Sequence, residues 1–224
     1  VNALMAYGDC GNYVGGIFTG GNDILSATSS VYGDMAAIAG ALSAGDSVQC
    51  GDDNISASDD FAALYGDVAT IAGDVSLASV IFGNDTITGG ILGDTIYGDY
   101  QSDTSGTLDP AAGGNDVIFA GGGAYQIHGN GGDDIIDPGT GDDTVVDGGE
   151  GRDTISYASL AVGVTVNLGS QGVGQNTIGG GIDTLTNFEN ILGGSGNDTL
   201  TGDDGADNVI TGGLGDDVLT GGAS

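Results

Sequence analysis

The chain has 224 residues, enough for one large or two small domains, and it carries 48 glycines, 32 acidic residues and a single Lys or Arg. The formal net charge of -31 repels nucleic-acid phosphates and anionic membrane surfaces, which excludes both as partners. No apolar run approaches the roughly 18 residues of a transmembrane helix, so membrane insertion is excluded as well.

Among the acids only Glu150 and Glu189 are Glu, and all the others are Asp. Solubility would be served by either acid, so the bias asks for a role that needs the short carboxylate. A disordered acidic segment would also be rich in glycine, but here 39% of residues are hydrophobic and they recur in register. A salt-adapted surface would scatter Asp and Glu rather than lock them to glycine spacing.

Residues 1–113 carry a long repeat. Gly-x-Asp-x-aliphatic occurs at Gly21–Leu25, Gly51–Ile55, Gly83–Ile87 and again at Gly114–Ile118, and between these copies stands Tyr-Gly-Asp at Tyr7–Asp9, Tyr32–Asp34, Tyr65–Asp67 and Tyr97–Asp99. The segments Met35–Cys50, Val68–Phe82 and Tyr100–Gly113 are inserts; the first two are Ala-rich and fit either a short helix or an extra strand pair. Stacked in register, the tyrosines of Tyr-Gly-Asp would form an outward row; the alternative is isolated surface tyrosines. The place nine residues after Asp53 holds Ala62 rather than Asp, so metal sites are expected to be sparser in this half, at Asp23, Asp53, Asp85, Asp94 and Asp99.

Residues 114–156 are denser. Nine-residue steps from Asp116 reach Tyr125, Asp134 and Asp143, and a ten-residue step reaches Asp153, while the aliphatic position runs Ile118, Ile127, Ile136, Val145, Ile155. Tyr125 interrupts the carboxylates, so a site there is expected to be weak or missing. The lone His128 is read as a loop or surface residue. Residues 157–192, with alternating stretches at Gly163–Leu168 and Asp183–Leu192, are expected to continue the stack as strands without metal loops. Glu189 is expected to pair with backbone amides near a turn.

Residues 193–224 repeat one nine-residue unit three times, with an extra Thr before the third copy, glycines at positions 1, 2 and 4 (Asp203 at position 2 of the second copy), Asp at position 6 (Asp198, Asp207, Asp217) and an aliphatic at position 8 (Leu200, Val209, Leu219). One inward side chain per unit cannot make a core alone. Stacked units can, because the aliphatics then form ladders between two parallel sheets, with strands about 4.8 Å apart. The fold expected is therefore all-β, a parallel β-roll or β-solenoid with insertions in its N-terminal half, continuous through all four segments.

Glycines in the turns permit positive φ and let carbonyl oxygens face inward, where the Asp points its carboxylate. Calcium takes about six to eight oxygens at roughly 2.3–2.6 Å, which two neighbouring turns can supply, whereas magnesium holds its waters and demands tighter geometry. Multiple calcium ions are expected on Asp23, Asp53, Asp85, Asp94, Asp99, Asp116, Asp134, Asp143, Asp153, Asp198, Asp207 and Asp217. Backbone carbonyls near Gly114, Gly132, Gly139, Gly141, Gly149, Gly151, Gly194, Gly196, Gly205, Gly213 and Gly215 would complete the shells. Because the uncompensated carboxylates repel one another, binding and folding are expected to be one event.

Cys10 and Cys50 are the only cysteines. A bridge between them would contribute about 4 kcal/mol by the chain-entropy model; two free buried thiols, or a bridge to another chain, are the alternatives. Neither lies in a CxxC, which argues against a zinc site. No signal-peptide pattern opens the chain, and Val at position 1 reads as a processed chain or an excised segment.

The unit Gly-Gly-x-Gly-x-Asp-x-aliphatic-x at 114–156 and 193–220 resembles the RTX calcium-binding repeat, and Gly148–Leu200 looks like the join between RTX blocks. The resemblance implies a parallel β-roll with calcium between turns and a secreted, extracellular or cell-surface protein of a Gram-negative bacterium, exported by a type I apparatus. RTX rolls accompany proteases, lipases and toxins, but one histidine cannot make HExxH and no Gly-x-Ser-x-Gly is present. The chain is read as a non-enzyme. Two functions remain: a calcium-folded structural protein that self-assembles end to end into a layer, filament or matrix, or the calcium-triggered folding and secretion module of a larger exported protein. An adhesin presenting the inserts is a further reading.

Overall fold

A computed structural model describes residues 3–8, 10–13, 17–38, 47–57, 63–71, 79–103, 108–109, 112–123, 125–204 and 207–222. Three-residue strands separated by glycine turns stack in parallel, so each strand buries its central side chain and leaves its neighbours outside. On one face the register runs Leu25, Ile55, Ile87, Ile118, Ile136, Ile155, Ile191, Ile210. On the other it runs Val31, Leu64, Ile96, Ile127, Val146, Leu185. The long strand Ile24–Tyr32 feeds both faces, pairing Asn54–Ala57 through its first half and Ala63–Tyr65 through its second. These two ladders meet in one core, in which each fully buried aliphatic contributes about 1.5–3 kcal/mol of burial. This is the expected parallel β-roll, all-β, with a single 3₁₀ turn at Leu168–Ser170 among the described residues.

The inserts resolve as extra strands. Met35–Ile38 stacks between Cys10–Tyr13 and Val68–Ile71, which in turn carries Tyr100–Asp103. Ser47–Gln49 stacks between Ile17–Thr19 and Ser79–Ile81. The long repeats therefore give two strands each to the main roll and two each to a side lobe, the last giving the lobe Tyr100–Asp103 among the described residues; the lobe has its own core of Val48, Cys50, Val68, Ile71 and Phe82. Of the two options for the inserts, the described residues show the strand pair; residues 39–46 and 72–78 lie outside them.

Two sequence readings need correction. Val146, not Val145, is the inward residue paired with Ile127, so the additional residue of the step from Asp143 to Asp153 falls before Val146. Ile210, not Val209, pairs with Ile191 and packs on the core, while Val209 is 58% exposed. In both places two adjacent aliphatics offer two registers, and the turn absorbs the additional residue. Of the alternatives left open for the cysteines, Cys50 is a free, buried thiol; the Cys10 side chain lies outside the described residues.

Between residues 157 and 192 the stack continues through Thr165–Asn167, Leu185–Thr186 and Asn190–Leu192. An antiparallel pair, Gln175–Asn176 with Ile182–Asp183, interrupts it. Thr165–Asn167 then carries Thr199–Thr201 and Val218–Thr220. The tyrosines of Tyr-Gly-Asp do form a row: Tyr32 stacks on Tyr65 at 4.9 Å and Tyr65 on Tyr97 at 5.6 Å, with near-parallel rings. His128 lies in a strand rather than a loop and ends the row, 4.9 Å from Tyr97, with Nδ1 3.8 Å from Asp147.

Candidate metal centre

Parallel stacking puts the residue before each inward-facing strand directly above its counterpart in the next coil. At one edge of the roll this makes a carboxylate ladder. The N–H of Asp23 donates to Asp53 Oδ1 and that of Asp53 to Asp85 Oδ1, both at 2.7 Å. Asp85 donates likewise to Asp116, Asp116 to Asp134, and Asp134 to Asp153, each at 2.8 Å. The series ends on Glu189, whose Oε2 accepts from the Asp153 amide at 2.8 Å. Each aspartate thus spends one oxygen on the backbone of its neighbour. The other oxygen, Oδ2 of Asp85, Asp116, Asp134 and Asp153, is buried and meets no donor. A buried anionic oxygen left so is costly, several kcal/mol in apolar surroundings.

Backbone carbonyls converge on the same spaces. Asp85 Oδ2 and the Gly98 carbonyl both point at the position a Cβ of Gly66 would fill, and Asp116 Oδ2 with the Gly129 carbonyl does the same at Gly98. Asp134 Oδ2 and the Gly148 carbonyl repeat it at Gly129. Carboxylate oxygens without donors, with backbone carbonyls converging beside them, are the hard ligand set that calcium prefers. Any side chain at Gly66 would occupy the cradle, which is why these turns need glycine.

The opposite edge holds Asp94, Asp143, Asp198 and Asp217. Asp94 Oδ2 accepts from the Gly90 amide at 2.9 Å, and Asp198 Oδ1 and Oδ2 accept from Val164 and Gly194 at 2.8 and 2.9 Å. Asp217 Oδ1 takes the Asp198 amide at 2.9 Å. Asp143 accepts from the Tyr125 amide at 2.9 Å and keeps Oδ2 without a donor. Tyr125 replaces a carboxylate here: its ring is buried and its hydroxyl donates to the Gly90 carbonyl at 2.7 Å. Asp183, one coil on from Asp143, is served by the hydroxyls of Tyr157 and Thr177 at 2.9 and 3.0 Å. At both places protein hydroxyls supply the donors that an ion would otherwise replace.

Burial moves the titration of these groups. It pushes the carboxyls of Asp85, Asp134 and Asp143 up to about 8 and that of Asp153 to about 7. Burial first, then neighbouring aspartates, also raises Asp67 and Asp116 well above the usual carboxylate range. The Cys50 thiol is raised by burial and then by Asp67 and Asp34. A carboxyl that resists ionisation in the ion-free roll is one that a bound dication would stabilise as the anion.

Two expected positions fall elsewhere. Asp207 is exposed, and the ladder place above Glu189 is held by Asn208, whose Nδ2 donates to the Glu189 carbonyl at 2.8 Å. This follows from the Val209 to Ile210 register shift. Asp99 is fully buried but both its oxygens are engaged, by the amides of Gly114 at 2.7 Å and Gly131 at 3.3 Å. Of the glycines expected to turn carbonyls inward, Gly132, Gly139, Gly141, Gly149, Gly151, Gly213 and Gly215 have positive φ. Gly114, Gly194 and Gly196 instead lend carbonyls against which the next coil's glycines stack, and Gly205 lies outside the described residues. Sequence reasoning missed the first glycine of the turn, whose carbonyl at Gly98, Gly129, Gly148 and Gly212 faces the aspartates. It also missed Asp34 and Asp67, wholly buried beside the ladder; their recurrence in Tyr-Gly-Asp was the available signal.

A parallel roll with donor-free carboxylate oxygens and converging carbonyls in its glycine turns defines a protein that holds hard divalent cations between coils. Residues 111–145, 187–210 and 192–224 match the model of the RTX calcium-binding nonapeptide repeat (four copies). These segments are RTX-type calcium-binding repeats, and repeats of this type bind multiple calcium ions. No curated protein and no solved structure matches the chain significantly.

Proposed function

We propose that this is an extracellular, non-catalytic, calcium-binding structural protein of a Gram-negative bacterium. Its roll folds as calcium binds, and its coils stack end to end with those of further copies. Calcium neutralises the carboxylates; Asp85, Asp116, Asp134, Asp153, Asp198 and Asp217 hold it together with the inward carbonyls. Asp23, Asp53, Asp94 and Asp143 extend the same set.

The observation that carries the assembly is the coil ending at Thr220. Leu219 pairs directly over Leu200, yet Leu200 is fully buried and Leu219 is 48% exposed. Val218 and Leu214 beside it are 58% and 71% exposed. An apolar parallel edge of this kind is a template for one more coil. A coil from another copy covers it without any new chemistry.

The same edge also suits a further coil of a longer polypeptide, which is the second reading: a calcium-triggered folding and secretion module of a larger exported enzyme or adhesin. Sedimentation and electron microscopy of the purified chain in millimolar calcium separate the two. Calcium-dependent filaments or sheets made of this chain alone are expected. Monodisperse monomers at every calcium concentration would overturn assembly and leave the module.

A further inference from the structure

The core of the side lobe lies outside the matched repeats, and it contains the one cysteine described as a free thiol. Cys50 sits at the rung between Gly20 and Phe82: the Gly20 amide donates to the Gln49 carbonyl at 2.7 Å, and the Cys50 amide to the Ile81 carbonyl at 2.9 Å. Only in this coil does that position carry a sulfur.

The thiol lies between two turns of Tyr-Gly-Asp. One ligand atom each from Asp34, Cys50 and Asp67 lies within 4.8 Å of the other two, and all three residues are buried. The backbone uses only part of this set. The Gly51 amide donates to Asp34 Oδ2 at 2.6 Å and the Gly83 amide to Asp67 Oδ2 at 3.0 Å. Asp67 is wholly buried, and its Oδ1 has no hydrogen-bond partner. That atom is the one left for a ligand, and a buried carboxylate oxygen without one is costly.

Asp67 also belongs to an all-oxygen group with Asp53 and Asp85, which suits calcium. The group with Cys50 does not. Calcium takes oxygen ligands, whereas a thiolate with carboxylates suits a borderline-soft dication. Zinc takes thiolate sulfur and Asp oxygen together and is content with few protein ligands. We propose that Asp34, Cys50 and Asp67 form a mixed thiolate–carboxylate site for a transition-metal dication of the zinc class, distinct in chemistry from the calcium ladders. Binding replaces the thiol proton: the S–H bond breaks, the metal–sulfur bond forms, and the proton passes to solvent.

The test uses the full chain folded in excess calcium, with cobalt(II) as a spectroscopic probe and zinc as competitor. One equivalent of cobalt is expected to give a thiolate-to-metal charge-transfer band that zinc abolishes. The band persists in Cys10→Ser and is lost in Cys50→Ser, and Asp67→Asn weakens binding by roughly 10- to 100-fold, as loss of a supporting group at a metal site does. Circular dichroism in calcium checks that each variant folds. Should Cys50→Ser fail to fold, X-ray absorption of zinc-loaded Cys10→Ser protein decides, with a sulfur scatterer expected at about 2.3 Å. Oxygen-only coordination, or zinc affinity unchanged in folded Cys50→Ser, would overturn the site while leaving the calcium roll intact.

Discussion

Removing calcium at neutral pH should unfold the roll, and the size of the effect follows from the ladder. In the ion-free fold burial holds Asp85 and Asp134 at about 8, against an ordinary carboxyl near 4. A group whose folded value is raised contributes stability below its unfolded value and loses it as pH rises through the folded one. Between roughly pH 4 and pH 8 each of these carboxyls therefore destabilises the ion-free fold by about 1.4 kcal/mol per pH unit. At pH 7 that is about 4 kcal/mol for each and about 8 kcal/mol for the two together, within the whole stability of an ordinary domain, about 5–15 kcal/mol. Asp67, Asp99 and Asp116 are raised as well and act in the same sense. Far-UV circular dichroism and hydrodynamic radius, measured in chelator across pH 5 to 8, are expected to show an expanded chain at the upper end. At about pH 5 the cost per carboxyl falls below 2 kcal/mol, so part of the compaction returns without calcium. With calcium present the dependence reverses, because protons then compete with the ion. A chelated chain that keeps full β signal and compact size at pH 8 would refute the reasoning.

Other consequences can be checked one residue at a time in calcium. Ile118→Ala, at the middle of the first ladder and fully buried, should cost about 2–5 kcal/mol by cavity formation, seen as a lower thermal midpoint. Gly132 has φ of 104° and stacks on the Gly114 carbonyl with no room for a Cβ; Gly132→Ala should cost more than about 1 kcal/mol and raise the calcium concentration at the folding midpoint. Tyr125→Phe removes the shorter of two hydrogen bonds to the Gly90 carbonyl, which keeps the Gly122 amide at 3.4 Å, and should cost about 0.5–1.5 kcal/mol, with no loss of calcium stoichiometry by isothermal titration.

The nine-residue spelling made the roll legible because a period of glycine, Asp and aliphatic is itself the geometry of a coil. It failed where spelling permits two answers. Val145–Val146 and Val209–Ile210 each offer two inward candidates, and only pairing against Ile127 and Ile191 selects one. The side lobe was half legible: Ala-rich inserts carry weak periodicity, and their strands are specified by the lobe core of Val48, Val68, Ile71 and Phe82 rather than by local propensity. Asp34 and Asp67 were visible in the sequence, but a motif with a tyrosine in front of it draws attention to the ring. What placed these carboxylates beside the ladder is the return of the chain through the lobe, which brings Asp67 Oδ2 to the Gly83 amide sixteen residues on.

The two edges of the roll answer the same electrostatic problem in different ways. A glycine turn gathers carbonyl dipoles at a point, and something must face them. Along the edge of Asp85, Asp116, Asp134 and Asp153 the chain adds carboxylates, which deepen the negative potential until only a dication can relieve it. Along the other edge Tyr125 faces the Gly90 carbonyl with a neutral donor, and Tyr157 and Thr177 do the same for Asp183. A hydroxyl needs no ion and adds no charge, so at those two positions packing and hydrogen bonds stand in for an ion. The carboxylate edge leaves Oδ2 of Asp85, Asp116, Asp134 and Asp153 without a donor, and the calcium dependence proposed for it follows from Asp standing where Tyr125 shows that the fold accepts another residue.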